Sequence, residues 1–329
     1  MDQLMDYKAG LITAGLIGVS ALTLGRKYLA GGVCNIKKDL TGQVVIVTGS
    51  NTGIGKETAR VLASMSATVI LACRDAQRSL PVVEELRKDT NNENIHFIKL
   101  DLTDLKSIKE FADEFKKRYQ KLNILINNAG IMAIPDRRLT KDGFELQFGT
   151  NHLGHFYLTT LLIDALKKAT SSRVINLSSM ASDVGKMNWD DLMFEKGYNL
   201  SSAYSQSKLA NILFTKELQR RYTNDGIISV AVHPGVVTTD LTRYVTEKWY
   251  FKLMFATIGT PVMHIFGKSP LQGAQTSLYC ALEDSEKLVG GGYYADCKVK
   301  KENAIARKEE NGKKLWEMSE KLIVGKISN

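Results

Sequence analysis

Tyr204 and Lys208 stand four residues apart in YSQSK, a spacing that on a helix stacks the two side chains one turn apart on one face. An ammonium beside a phenol favours the phenolate, so such a pair can exchange a proton with a substrate oxygen near neutral pH. The same spacing recurs as YVTEK from Tyr244 to Lys248 and as YADCK from Tyr294 to Lys298, and at most one of the three can be a site. Metal chemistry is not expected. His152 and His155 are three residues apart with no third ligand at useful spacing, and Cys34, Cys73, Cys280 and Cys297 lack paired ligand spacing. The two histidines read as helix-surface or packing residues, and His233, before Pro234, as a residue that orders the turn there.

A pair of this kind needs a scaffold, and the chain supplies one in repeating units. QVVIVT (Gln43 to Thr48) is a β-branched run followed by GSNTGIG (Gly49 to Gly55) and the helix-like KETARVLASM. Strand, glycine loop and helix in that order form a phosphate-binding unit, because the glycines admit the pyrophosphate and the helix start offers unpaired N–H groups. TVILAC, IHFIKLD, LNILINNAG and SRVINLSS follow as further β-rich runs with amphipathic stretches between most of them. This alternation predicts an α/β fold, a single doubly wound Rossmann-type parallel sheet flanked by helices.

The glycine spacing TGxxxGxG, from Thr48 to Gly55, resembles that of the short-chain dehydrogenase/reductase family. The resemblance runs from about Thr41 to about Tyr294 and is carried also by DLTD at Asp101, NNAG at Asn127, NHLGHF at Asn151, LSS ending at Ser179, YSQSK at Tyr204 and HPGVVTTD at His233. Within the family, TGSNTGIGKETA, LACRD, FGTNHLGHF and AYSQSKLANILF look like the retinol dehydrogenases of microsomes and mitochondria. Gly31, Gly32 and Cys34 mirror a GG-x-C segment of one mitochondrial type.

What the resemblance implies is specific. The family places its tyrosine on the helix after the serine-bearing strand, which selects Tyr204 over Tyr244, beyond the PG turn, and Tyr294, in an expected last strand. Tyr204 is then the general acid for carbonyl reduction and the base for alcohol oxidation. Lys208 holds the nicotinamide ribose, Ser179 bonds the substrate oxygen with Ser178 as its competitor, and Asn151 completes a proton path through water beside Lys208. Gly49, Ser50, Asn51, Thr52, Gly53, Ile54 and Gly55 surround the pyrophosphate. Asp101 and Leu102 lie beside adenine and Asn128, Ala129 and Gly130 beside a ribose. Pro234, Gly235, Val237 and Thr239 contact the cofactor, with Thr239 on the carboxamide.

The second strand ends in ACRD, with Cys73 near the slot where NAD-preferring folds carry an acid and Arg74 beside it. A guanidinium suits a 2′-phosphate, so NADP(H) is the expected cofactor; the alternative is that Arg74 pairs with Asp75. The expected activity is hydride transfer between nicotinamide and a lipophilic carbonyl or alcohol, with retinal and retinol as the leading pair. A non-catalytic nucleotide-binding subunit of a membrane complex is the alternative.

With 329 residues, 44% of them hydrophobic and 24% charged, the chain can bury a large core, and no break in composition divides it. A net charge of +9 comes without any nucleic-acid-reading motif, and suits an anionic membrane surface instead. Ala9 to Gly25 is uncharged and apolar, about 26 Å long as a helix, and long enough to span when extended to Leu29. We read residues 1–40 as a membrane anchor and linker, residues 41–329 as the catalytic domain, about 241–271 as a substrate-side lid rich in aromatics and Met, and about 298–329 as a basic tail. Arg26, Lys27, Lys37 and Lys38 put the domain on the cytosolic or equivalent side. The family resemblance points to the mitochondrial inner membrane or the endoplasmic reticulum, with a homo-oligomer or membrane-complex association as a further possibility.

Overall fold

Successive residues of Val44–Thr48 (β1) point to opposite faces of a sheet, and both faces are apolar. Val44 and Ile46 join one core cluster, Val45 and Val47 the other. A strand buried on both sides requires helices on both sides, and this is the architecture found. The structure is a computed structural model that describes residues 30–237 and 267–327. Its sheet has eight strands in the order β3-β2-β1-β4-β5-β6-β7-β8. The remaining strands are β2 (Thr68–Cys73), β3 (Ile95–Lys99), β4 (Ile124–Asn127), β5 (Ser172–Leu177), β6 (Ile227–His233), β7 (Tyr293–Ala295) and β8 (Lys298–Lys300). All neighbours are parallel except β7 and β8. The order reverses between β1 and β4, the switch point at which doubly wound sheets open a crevice beyond their strand ends.

On one face lie α1 (Gly53–Ala63), α2 (Ala76–Thr90) and α6 (Pro270–Leu282), which contribute Leu62, Leu86 and Leu278 to their cluster. The other face is covered by α3 (Leu105–Arg118), α4 (Gly154–Lys167), α5 (Leu200–Tyr222) and α7 (Glu309–Ile327). Phe111, Phe156, Leu213 and Trp316 meet there.

The basic stretch expected as a tail is folded. Lys298–Lys300 closes the sheet edge, and α7 docks through Leu315, Trp316 and Ile323, with the Trp316 ring 4.9 Å from that of Phe156. Its lysines mask an apolar stripe that one docked face is enough to bury. The expected anchor and most of the expected lid lie outside the described residues. Among the described residues no helix is long and apolar enough to cross a membrane.

Candidate active site

Thr48 ends β1, and its hydroxyl joins two loops at the switch point. It accepts from the backbone N–H groups of Asn128 and Ala129, both at 2.9 Å. The Asn128 amide returns the contact by donating to Thr48 O at 2.7 Å. The glycine loop is pressed against this junction so closely that a methyl group at Gly49 would stand 2.9 Å from Ala129 Cα, and one at Gly55 2.5 Å from Asn128 Nδ2. Thr52, the residue before α1, makes no capping bond with its side chain, so the first-turn N–H groups are left without a side-chain partner. A loop with glycine at its points of closest approach, ahead of an uncapped helix start, fits a dinucleotide pyrophosphate.

The loop borders a cleft of about 1000 Å³. Gly49, Asn51, Thr52, Gly53, Ile54 and Gly55 line it, as do Arg74, Asp101, Leu102, Asn128, Ala129 and Gly130. Ser50 does not. It is buried, its hydroxyl donates to Val47 O at 2.8 Å and its N–H reaches Cys73 Sγ at 3.2 Å, so it braces β1 against β2 from behind the loop.

Arg74 is exposed on the cleft wall. Asp75 does not engage it among the described residues; its carboxylate instead accepts from the Arg78 N–H at the start of α2. Arg78 also lines the cleft, a second guanidinium that the reading of ACRD alone did not reach. Lys56 turns away and pairs with Glu85 at 2.7 Å. Asp101 is buried and accepts from Thr103 N and Oγ1 at 3.0 and 2.7 Å, which fixes the turn that presents Leu102 to the cleft.

At the other end α5 starts at Asn199, whose side chain caps it by accepting from Ser201 N and Ser202 N. Its first turns carry Tyr204 and Lys208, both buried and both lining the cleft. The Lys208 ammonium lies 5.8 Å from the Tyr204 ring centre and donates to Leu177 O at 3.1 Å. Burial lowers its proton affinity from 10.5 to about 8. The Tyr204 phenol is displaced upward by burial, opposed by a hydrogen bond with Ser179. Removal from water is the larger of the two causes, and the phenol holds its proton at neutral pH.

Both serines after β5 line the cleft, and their hydroxyls differ in what they bond. Ser178 is buried and donates to Lys208 O at 2.8 Å, tying strand to helix. Ser179 lines the cleft with Tyr204, and its backbone carbonyl accepts from Tyr293 OH at 3.1 Å. Tyr293 had no signal in the sequence beyond its place in an expected last strand. Its neighbour Tyr294 is buried away from the cleft, its hydroxyl accepting from Val289 N at 2.7 Å. Tyr244 and Thr239 lie outside the described residues, while Pro234, Gly235 and Val237 line the cleft. His233 orders their turn by accepting from Gly235 N at 3.4 Å.

Asn151 stands back from the cleft. It is fully buried in a π-helical turn, Gly149–Leu153, behind the cleft wall. Its amide takes both backbone groups of Ile131, at 2.9 Å each, and donates to Ser207 Oγ at 3.0 Å. The side chain therefore clamps the β4 loop to α5, with both of its N–H donors taken. Its carbonyl lies 3.1 Å from His155 Nδ1, and His155 Nε2 lies 2.9 Å from the Thr48 hydroxyl. Burial holds His155 at about 4, so it is neutral and links the π-turn to the end of β1. His152 is buried likewise, against Ser319. Among the described residues no cluster could hold a metal ion.

Residues 43–249 match the short chain dehydrogenase family. The chain belongs to that family. It is 46% identical to mouse Retinol dehydrogenase 12 over 91% of this chain and 92% of that one, and 43% identical to human Retinol dehydrogenase 13 over 96% and 95%. A solved structure from Mycobacterium paratuberculosis superposes with a TM-score of 0.70 at 36% identity, covering 88% of this chain and 95% of the other. The protein is thus a short-chain oxidoreductase related to the retinol dehydrogenases, a family that works with a nicotinamide cofactor. Its identity to Retinol dehydrogenase 12 is no lower than that to Retinol dehydrogenase 13, so neither type is set apart.

Proposed function

We propose that the protein is an NADP(H)-dependent oxidoreductase that interconverts a lipophilic aldehyde or ketone with its alcohol, retinal and retinol being the leading pair. The observation that carries this reading is the meeting of Tyr204, Ser179 and Lys208 at the inner end of a cleft whose outer end is bordered by Arg74. The nicotinamide, when bound, supplies or takes up the hydride. Ser179 donates to the substrate carbonyl oxygen and fixes it beside Tyr204. Tyr204, protonated at rest, gives its phenolic proton to that oxygen during reduction, and the Lys208 ammonium stabilises the phenolate that remains. Asn151 positions this group from behind, by holding Ser207 and the Ile131 backbone on either side.

Arg74 supports NADP(H), because an exposed guanidinium without an ion pair to its neighbouring acid is available to a 2′-phosphate. The cleft rim supports a lipophilic substrate: Met180, Val184 and Val236 line it and remain exposed. An apolar amino-terminal anchor in the membrane would deliver such a substrate from the lipid phase. Retinal, steroid ketones, and short and long aliphatic aldehydes, assayed with NADPH in detergent, test the reading. Highest kcat/KM on retinal or another long apolar carbonyl is expected. A preference for short water-soluble aldehydes would overturn the lipophilic assignment, and failure with NADPH on every carbonyl would overturn the reductase assignment.

A further inference from the structure

Beneath the loop that follows β6 runs a buried lysine with no part in the roles above. Lys268 donates its backbone N–H to Val236 O at 2.8 Å and pairs in a parallel bridge with Val237. Its stem underlies Gly235, where φ is +90° and an added methyl would stand 2.7 Å from Lys268 Cδ. Pro234, Gly235, Val236 and Val237 form the cleft wall beside β5, whose end carries Ser179. The lysine stem is therefore the floor of the wall at the catalytic end.

The head of the same side chain reaches elsewhere. Its ammonium lies 2.6 Å from Asp296 Oδ1, in the two-residue turn between β7 and β8. Asp296 and Cys297 both adopt left-handed backbone, with φ of 49° and 58°, as a tight hairpin of this kind demands, yet neither is glycine. The turn is held by outside contacts. Asp296 accepts from Lys268, while Cys297 N–H reaches Thr276 Oγ1 at 3.3 Å. Methyl groups at Gly31 and Gly32 would overlap Asp296, so the segment arriving from the amino terminus is seated directly on the ion pair.

We propose that Lys268 is a positioning residue: through its ion pair with Asp296 it sets the height of the Pro234–Val237 wall for the nicotinamide half of the cofactor, and ties that height to the seating of Gly31 and Gly32. The inference rests on the cofactor reading above. It places no group of Lys268 on the reacting atoms. What it implies is that the two halves of the dinucleotide depend on separate supports, since the adenosine end rests on the glycine loop and on Arg74, neither of which touches this pair.

Lys268→Met keeps the stem and removes the charge, and Asp296→Asn breaks the same pair from an exposed turn. The full-length protein and both variants are titrated with NADPH, NADH and the adenosine-half fragments 2′,5′-ADP and 5′-AMP, with KM for the dinucleotide, kcat and melting midpoint measured alongside. Each variant is expected to bind the preferred dinucleotide about tenfold more weakly and to show a KM about tenfold higher, while binding its fragment within about twofold of wild type. The double variant should be no worse than either single one, and Lys268→Arg should recover most of the loss. Dinucleotide binding equal to wild type in both variants, or equal losses for fragment and dinucleotide, would overturn the assignment of Lys268. A wild-type protein that binds neither NADPH nor NADH would instead bring down the cofactor reading, and this inference with it.

Discussion

At the outer end of the cleft the Arg74 guanidinium stands in water, whereas at the inner end the charged groups are enclosed. Arg74 is exposed on the wall, but Lys208 is 4% exposed and Tyr204 8%. Water solvates the guanidinium, so Arg74 places no demand on the fold and its replacement should alter affinity alone. Lys208 is different. Keeping an ammonium where its proton affinity falls from 10.5 to about 8 costs the folded chain on the order of 3 kcal/mol at neutral pH. Because the folded value is the lower one, that cost is present in full below about pH 8 and is relieved as pH rises toward 10.5. The contrast separates selection from chemistry: one end can be re-specified without destabilisation, and the other trades stability for reactivity.

Lys208→Met gives the largest expected effect. Loss of the ammonium should lower kcat for carbonyl reduction at least about 100-fold. The melting midpoint should nevertheless rise by about 3 °C or more, because the buried charge is gone and the Leu177 carbonyl still accepts from Asn211 Nδ2 at 2.9 Å. In the wild type, kcat/KM for reduction should decline as pH rises past about 8, where the ammonium of the free enzyme is lost. A lower midpoint in the variant would erase the contrast between the two ends.

Arg74→Asp should lower the NADPH-over-NADH preference in kcat/KM by at least about tenfold, since a charge-assisted phosphate contact is worth about 1.5 to 3 kcal/mol. Its midpoint should stay within about 1 °C of wild type. The ratio is to be measured at fixed ionic strength, because salt screens exposed phosphate contacts. An unchanged ratio would leave Arg74 without a role in cofactor choice.

Ser178→Ala carries the smallest effect. It removes the bond to Lys208 O and so should cost about 1 kcal/mol in stability, with activity within about twofold of wild type. A larger loss of activity than of stability would move the substrate-facing role from Ser179 to Ser178.

The parts of this arrangement legible in the sequence are those that obey a local period. Strand, glycine loop and helix announce the sheet, and the four-residue step from Tyr204 to Lys208 announces a shared helix face. Groups that act across the fold left no such mark. Nothing local to Asn151 says that its amide is claimed by Ile131 and Ser207, since that depends on a π-turn bringing three elements together. Ser50 lies in the glycine loop by sequence but behind it in space. The hydroxyl of Tyr293 meets Ser179 from a strand 114 residues on. The charge of residues 298–327 concealed an apolar stripe because lysines and glutamates are scattered along the segment, while Leu315, Trp316 and Ile323 alone of its helix enter the core cluster.

The central claim, that Tyr204 delivers the proton at the end of a cleft that binds cofactor elsewhere, is tested most directly by Tyr204→Phe. The rate of retinal reduction and the dissociation constant for NADPH are measured on the same preparation. The account predicts a fall in kcat of at least about 1000-fold with NADPH affinity within about twofold of wild type, since only a transferable proton has been removed. A variant that keeps most of the wild-type rate would contradict it.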